Sequence, residues 1–207
     1  MKKLIAAMLT LSLLMTMVLS AVMPASAEEA SNHILIVYFS ATGTTKGVAE
    51  KLQEALNADV YEIIPEEPYT AADLNYNDRK SRTSIEMDDP SSRPAIAGEL
   101  PDLTAYDTIL IGYPIWWGDV PRIVSNFVEQ VDLTDKTLAV FFTSGGSGLG
   151  NSMKHLEQQA GSGTWLEGKR FSNNTAHRRV IHNDCSLVNC SIFGAVFLLI
   201  ESIDSSM

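Results

Sequence analysis

The chain has 207 residues, room for one domain with appendages. Hydrophobic residues at 45% and charged residues at 19% exclude general disorder, and a formal charge of −10 without clustered Lys or Arg excludes a nucleic-acid surface. Two cysteines, Cys185 and Cys190, exclude a disulfide framework for a domain of this size, although export would permit that one local pair to bond.

Lys2 and Lys3 precede an uncharged run from Leu4 to Met23, followed by Ala25-Ser26-Ala27 with small residues where a signal peptidase reads. Residues 1–27 are therefore expected to be a secretory signal cleaved after Ala27. An uncleaved membrane anchor is the alternative, since the run matches the roughly 20 residues that cross a bilayer. Cleavage would remove two lysines and no acid, shifting the charge from −10 to −12. Such a surface repels nucleic acid and suits a basic partner.

"HILIVYF", residues 33–39, predicts a fully buried first strand. From Thr44 to Asn57 the apolar residues Val48, Ala49, Leu52, Ala55 and Leu56 take helical spacing, opposite Glu50, Lys51 and Glu54. "DVYEII", residues 59–64, is the second strand, closed by Pro65. The polar stretch from Glu66 to Asp102 is too long for a plain connection, and predicts a helix from about Asp73 and then an ordered loop over the rim. "YDTILIGYP", 106–114, is the third strand. Pro121 can occupy the first turn of a helix that buries Ile123, Val124, Phe127 and Val128. "KTLAVFFTS", 136–144, is the fourth strand, and a helix from about Asn151 to Ala160 turns Met153 and Leu156 inward. "TWLEGKRF", 164–171, is a short fifth strand.

Buried strands alternating with amphipathic helices predict an α/β fold, a doubly wound parallel sheet covered on both faces. In such sheets ligands sit beyond the carboxyl ends of the strands. Three loops leave those ends: "SATGTT", "YPIWWGD" and "TSGGSG". In the first, Ser40, Thr42, Thr44 and Thr45 offer hydroxyls, and Gly43 lets the backbone amides converge at a helix N-terminus. That suits a phosphate held by neutral donors; a turn whose hydroxyls merely cap the helix is the plainer reading. The spacing lacks the P-loop pattern despite Lys46, and lacks Gly-x-Gly-x-x-Gly, so a phosphomonoester fits better than a nucleoside triphosphate or a nicotinamide dinucleotide. Adjacent Trp116 and Trp117 in an extended segment would point opposite ways, one to the core and one to a ligand. Glycines in "SGGSG" leave backbone amides free for polar ring edges.

In their order, "SATGTT", "GYPIWWGDVP" and "FFTSGGSGLG" resemble the flavodoxins, in a branch with a double-tryptophan loop and an "SGGSG" loop. The resemblance runs from about His33 to Phe171. It implies a flavodoxin-like fold with five strands in the order 2-1-3-4-5, and noncovalently bound flavin mononucleotide (FMN). By position it assigns Ser40, Thr42, Gly43, Thr44 and Thr45 to the phosphate. Pro114, Ile115, Trp116, Trp117 and Gly118 would flank the isoalloxazine, with Ser144, Gly145 and Gly146 at its polar edge. Ser40, Ala41 and Thr44 depart from the commoner Thr, Gly and Asn of the first loop, and the first and third changes keep a polar group.

Three functions follow from that resemblance. The first is an electron carrier that serves a redox partner protein, with no side chain acting as acid, base or nucleophile. The second is an FMN-dependent reductase of quinones or similar small acceptors, in which the insertion from Tyr69 to Arg93, with Arg79, Arg82 and Arg93, shapes a substrate site; a solvated surface loop is the plainer reading of that insertion. The third is a flavin-binding module without redox duty. A phosphatase of similar architecture would need a Cys near the first loop, and none precedes Cys185. His33 and His155 read as structural.

After Phe171 the family leads one to expect a short loop and a final covering helix. Residues 172–207 instead form an atypical tail rich in Asn and Ser, with an apolar run from Ile192 to Ile200 too short to span a membrane. A frame change in the coding sequence would also produce such a shift. His177, His182, Cys185 and Cys190 do not have the spacing of a recognised zinc motif.

Overall fold

The computed structural model describes residues 33–172. The expected signal segment, the tail after Ser172, its two cysteines, and His177 and His182 lie outside the described residues.

The first strand, β1 (Ile34–Tyr38), is buried along almost its whole length, as a central parallel strand must be. It turns through Gly43 into α1 (Thr44–Leu56), which buries Thr45, Val48, Ala49 and Leu52 and ends at Asn57 in the left-handed conformation. Next come β2 (Asp59–Glu62), α2 (Arg82–Asp88) and β3 (Thr108–Pro114). The second half holds α3 (Arg122–Gln130), β4 (Thr137–Ser144), α4 (Ser152–Ala160), β5 (Thr164–Trp165) and β6 (Lys169–Ser172). Every pairing between the described strands is parallel and the order is β2-β1-β3-β4-β5, with β6 also on β4, so the flavodoxin-like order 2-1-3-4-5 stands.

One correction is that the fifth strand is two strands. Leu138 pairs with Trp165 but Phe141 pairs with Lys169, so one extra residue enters the edge between β5 and β6. A bulge of this kind bends the edge and ends continuous pairing.

The sheet is packed on both faces. Leu35, Val37, Ile109, Ile111, Tyr113, Val140 and Phe142 meet α3 and α4 through Ile123, Val124, Phe127, Val128 and Leu156. Ile36, Tyr38, Leu110, Ala139 and Phe141 meet α1 through Val48, Ala49 and Leu52. Each fully buried aliphatic or Phe side chain contributes about 1.5–3 kcal/mol relative to exposure, which holds the strand ends in place. Met153 is only half-buried, whereas Leu156 is fully inside.

A second correction concerns the insertion between β2 and β3. The helix expected from Asp73 does not start there: residues 71–80 form turns and α2 begins at Arg82. Local side chains capture the backbone first. The Asp73 carboxylate accepts from the Thr70 N–H and hydroxyl, Asn75 from the Asn77 N–H, and Asp78 from the Lys80 N–H. The insertion is ordered and closes on itself. Pro65 and Ile96 form an antiparallel bridge, flanked by Glu66 N–H to Ala95 O (2.9 Å) and Ala97 N–H to Ile64 O (2.7 Å). Pro121 lies just outside α3, as its N-cap.

Candidate functional site

The chain crosses from β2 to β3 on opposite sides of β1, so the switch point lies between β1 and β3. The loops after β1, β3 and β4 emerge there together, and specific contacts tie them to one another.

The first loop ends at Gly43, whose φ of 83° requires glycine at the start of α1. No side chain caps this helix and no acid sits in its first turn, so the leading amides keep their donors. The Ser40 hydroxyl oxygen is buried without a hydrogen-bond partner among the described residues. Thr42 and Thr44 hydroxyls stand 3.4 Å apart at the surface. Thr45 differs: its hydroxyl is buried and bonded to Thr143 at 2.9 Å, tying the first loop's helix to the end of β4.

The second loop is not extended. Trp116 N–H donates to Asp119 O (3.0 Å) and Asp119 N–H to Trp116 O (2.9 Å), with φ of 50° at Trp117 and 77° at Gly118. Two left-handed central residues make a type I′ turn. The turn still sends the two indoles different ways. Trp116 packs edge-to-face on Phe39 at 5.4 Å and on Tyr69 at 5.4 Å, while Trp117 is 46% exposed. Holding Trp117 left-handed costs about 1–2 kcal/mol, which the paired turn sustains. Pro114 ends β3, and Ile115 N–H bonds to Thr143 O at 2.9 Å.

In the third loop the Ser144 hydroxyl folds back on Ser147 O, and Gly145 and Gly146 stand exposed with open space at their Cβ positions. Gly150, at φ 59°, packs its backbone directly against the carbonyl of Gly118. The second and third loops meet again where the Asp119 carboxylate faces His155 on α4.

Several participants carry no sequence signal. Tyr69 comes from the insertion to complete the ring cluster with Phe39 (5.8 Å) and Trp116. Its hydroxyl donates to Glu86 at 2.7 Å, and burial with that carboxylate raises its ionisation far above the ordinary tyrosine range. Thr143 and Ser152, the latter 3.1 Å from the Tyr113 hydroxyl, are likewise set by tertiary packing. Two of the three arginines expected at a substrate site are engaged by neighbouring groups. Arg82 bonds Glu86 at 2.6 Å and Glu67 O at 2.7 Å and lies 4.2 Å over the Tyr69 ring; Arg93 forks onto Glu129 at 2.6 and 2.7 Å. Arg79 is exposed. A cavity of about 400 Å³ lined by Leu100, Asp102, Gln130, Asp132 and Lys136 lies at the opposite ends of β3 and β4, away from the three loops. No cluster of metal-ligating side chains occurs among the described residues.

The residues fit a phosphorylated, planar ligand. An orphaned buried hydroxyl and uncapped amides await an anion; an exposed indole and bare glycine backbone border the space beside it.

The flavodoxin family profile matches residues 33–184. A candidate flavoprotein from Bacteroides eggerthii is 46% identical with a TM-score of 0.65, over 70% of this chain and 92% of its own. A second from Bacteroides uniformis is 43% identical with a TM-score of 0.66, over 70% and 95%. A flavoprotein from Lactobacillus acidophilus in complex with FMN is 26% identical with a TM-score of 0.57, over 67% and 93%. No curated protein matches the sequence.

Proposed function

The chain belongs to the flavodoxin family, and on that premise we propose that it binds FMN noncovalently and carries electrons through it between a redox partner protein and a further acceptor. The observation that carries this reading is the unpartnered Ser40 hydroxyl beside the uncapped start of α1, joined through Thr45–Thr143 and Gly118–Gly150 to the tryptophan and glycine loops. The solved FMN complex of the Lactobacillus acidophilus relative supports it.

FMN, when bound, supplies the redox chemistry. The chain's own residues bind and orient it. Ser40, Thr42 and Thr44 hydroxyls, with amides at Gly43, Thr44 and Thr45, hold the phosphate through neutral donors and the helix dipole. Trp116 and Trp117 border the ring with Pro114, Ile115 and Gly118, while Ser144, Gly145 and Gly146 present backbone to its polar edge. The acidic surface disfavours added negative charge and makes the reduced protein a stronger reductant. No side chain is assigned as acid or base. The ion pairs of Arg82 with Glu86 and of Arg93 with Glu129 on α3 leave those two guanidiniums engaged, which favours the carrier over the reductase.

Export through the segment 1–27 is part of this proposal, supported by its lysines, apolar run and Ala-Ser-Ala end. N-terminal sequencing of secreted protein should begin at Glu28.

The decisive measurement is an absorption spectrum of purified protein through stepwise reduction. A flavin spectrum that bleaches reversibly is expected. Protein that is colourless and takes up no added FMN overturns the reading, and steady turnover of NAD(P)H with a quinone would replace the carrier by the reductase.

A further inference from the structure

Through its place in the fold, His155 couples two of the three loops. It lies on α4, the helix that the glycine-rich loop leads into, and its Nδ1 stands 2.9 Å from both carboxylate oxygens of Asp119, the last residue of the tryptophan turn. A carboxylate only accepts, so Nδ1 carries the proton in this bond. Asp119 is itself held from the other side. Its carboxylate accepts from the Val120 N–H at 2.8 Å and from Arg122 at 3.3 Å, and Arg122, nearly buried, reaches Met87 O in the insertion at 3.0 Å. Asp119 therefore ties the turn to α3 and the insertion, while His155 ties it to α4.

We propose that His155 is a positioning residue for the cofactor site, one whose charge state sets how firmly the Trp117–Gly118 turn is held against the glycine-rich loop. The inference rests on the FMN reading above. Its side chain is 40% exposed, so it exchanges protons with solvent, while Asp119 is only 14% exposed. Protonated, His155 forms a charge-assisted bond; neutral, it keeps a weaker one. Other groups facing the pair are Arg122 from α3 and the Tyr113 hydroxyl from β3, which is raised by burial and by Asp119. Lys154 and Glu157 flank His155 on α4 itself. Arginine and tyrosine side chains keep one charge state around neutrality, whereas histidine as a residue type is the side chain able to change there. Because Gly118 and Gly150 already touch, loosening the Asp119–His155 bond frees the turn about that contact, and a less ordered turn binds a ring less tightly.

The test compares FMN dissociation constants of wild type and His155→Gln between pH 5 and pH 8. FMN's own phosphate titrates near 6, equally in both proteins, and cancels in their ratio. The dissociation constant of His155→Gln relative to wild type is expected to be raised about threefold or more at pH 5 and to fall toward the wild-type value as pH rises to 8. A ratio independent of pH overturns the proposal. A second readout needs no flavin: tryptophan fluorescence of flavin-free protein should change over the same pH range in wild type and lose that change in His155→Gln. Should the protein take up no FMN at any pH, the cofactor reading fails, and the fluorescence change alone then decides whether His155 controls the turn.

Discussion

A β-carbon on Gly150 would overlap the carbonyl oxygen of Gly118, so the tryptophan turn and the glycine-rich loop meet backbone to backbone. Gly150→Ala is therefore expected to drive the loops apart. The left-handed φ of 59° adds to the clash, and the combined cost is about 1–3 kcal/mol. For a domain of this size the melting temperature should fall by about 2–4 °C per kcal/mol. FMN affinity, measured by fluorescence quenching, should fall about tenfold or more. Unchanged affinity beside a lowered melting temperature would place the contact outside the site.

Ser40 separates binding from folding. Its hydroxyl is buried without a partner among the described residues, and an unmade hydrogen bond of that kind costs about 1–3 kcal/mol. Ser40→Ala should leave the flavin-free protein as stable as wild type or up to about 1 kcal/mol more so. A bond to a phosphate oxygen contributes about 1.5–3 kcal/mol, so FMN affinity should drop about tenfold in the same variant. Opposite signs in calorimetry and titration are the expected signature; a loss of both would mean that the hydroxyl has a partner within the fold.

Tyr69 tests how the insertion supports the tryptophan turn. Tyr69→Phe removes one bond to Glu86 and leaves Arg82 as its partner, at a cost of about 1–2 kcal/mol in urea unfolding. Tyr69→Ala also removes the ring that packs on both Phe39 and Trp116, and should cost about 3 kcal/mol or more. The Phe variant should keep wild-type FMN affinity and the Ala variant should lose it. Equal affinities for the two would remove the insertion from the site.

The sequence revealed what depends on neighbours along the chain. β1, β3 and β4 are continuous apolar runs, and α1 and α3 show helical spacing, so order and type were legible. The three loops were visible because glycines and hydroxyls cluster at strand ends. The rest depends on contacts between distant residues. Thr45 carries one of the first loop's four hydroxyls, and nothing near it in the chain announces that this hydroxyl meets Thr143, 98 residues away. Adjacent tryptophans after a strand predict an extended segment, whereas Gly118 permits a type I′ turn. The helix expected from Asp73 failed because Asp73, Asn75 and Asp78 bond their own backbone first. The break between β5 and β6 is one residue of slippage against β4, which no periodicity reports.

The insertion's far end is fixed by Arg93, whose guanidinium makes two parallel bonds to Glu129 on α3 and also reaches Pro90 O at 2.9 Å and Ser92 O at 2.7 Å. The Arg93 hydrogen bonds hold the Glu129 carboxyl below its ordinary 4.5. A folded value lowered in this way stabilises the protein above the unfolded value, and that stabilisation disappears as pH falls through the lowered one. With both side chains partly exposed, the pair contributes about 1 kcal/mol or less after screening. Glu129→Gln should therefore melt a few degrees below wild type at pH 7, and the gap should close as pH drops below about 4.5 toward 3. Asp73 and Asp89 are also lowered, each first by a neighbouring hydroxyl, but they titrate in both proteins and leave the difference unaffected. Molar salt at pH 7 should narrow the gap as well, because the pair is reachable by solvent. A gap that persists unchanged at pH 3 would mean that Glu129 supports the insertion by packing rather than by charge.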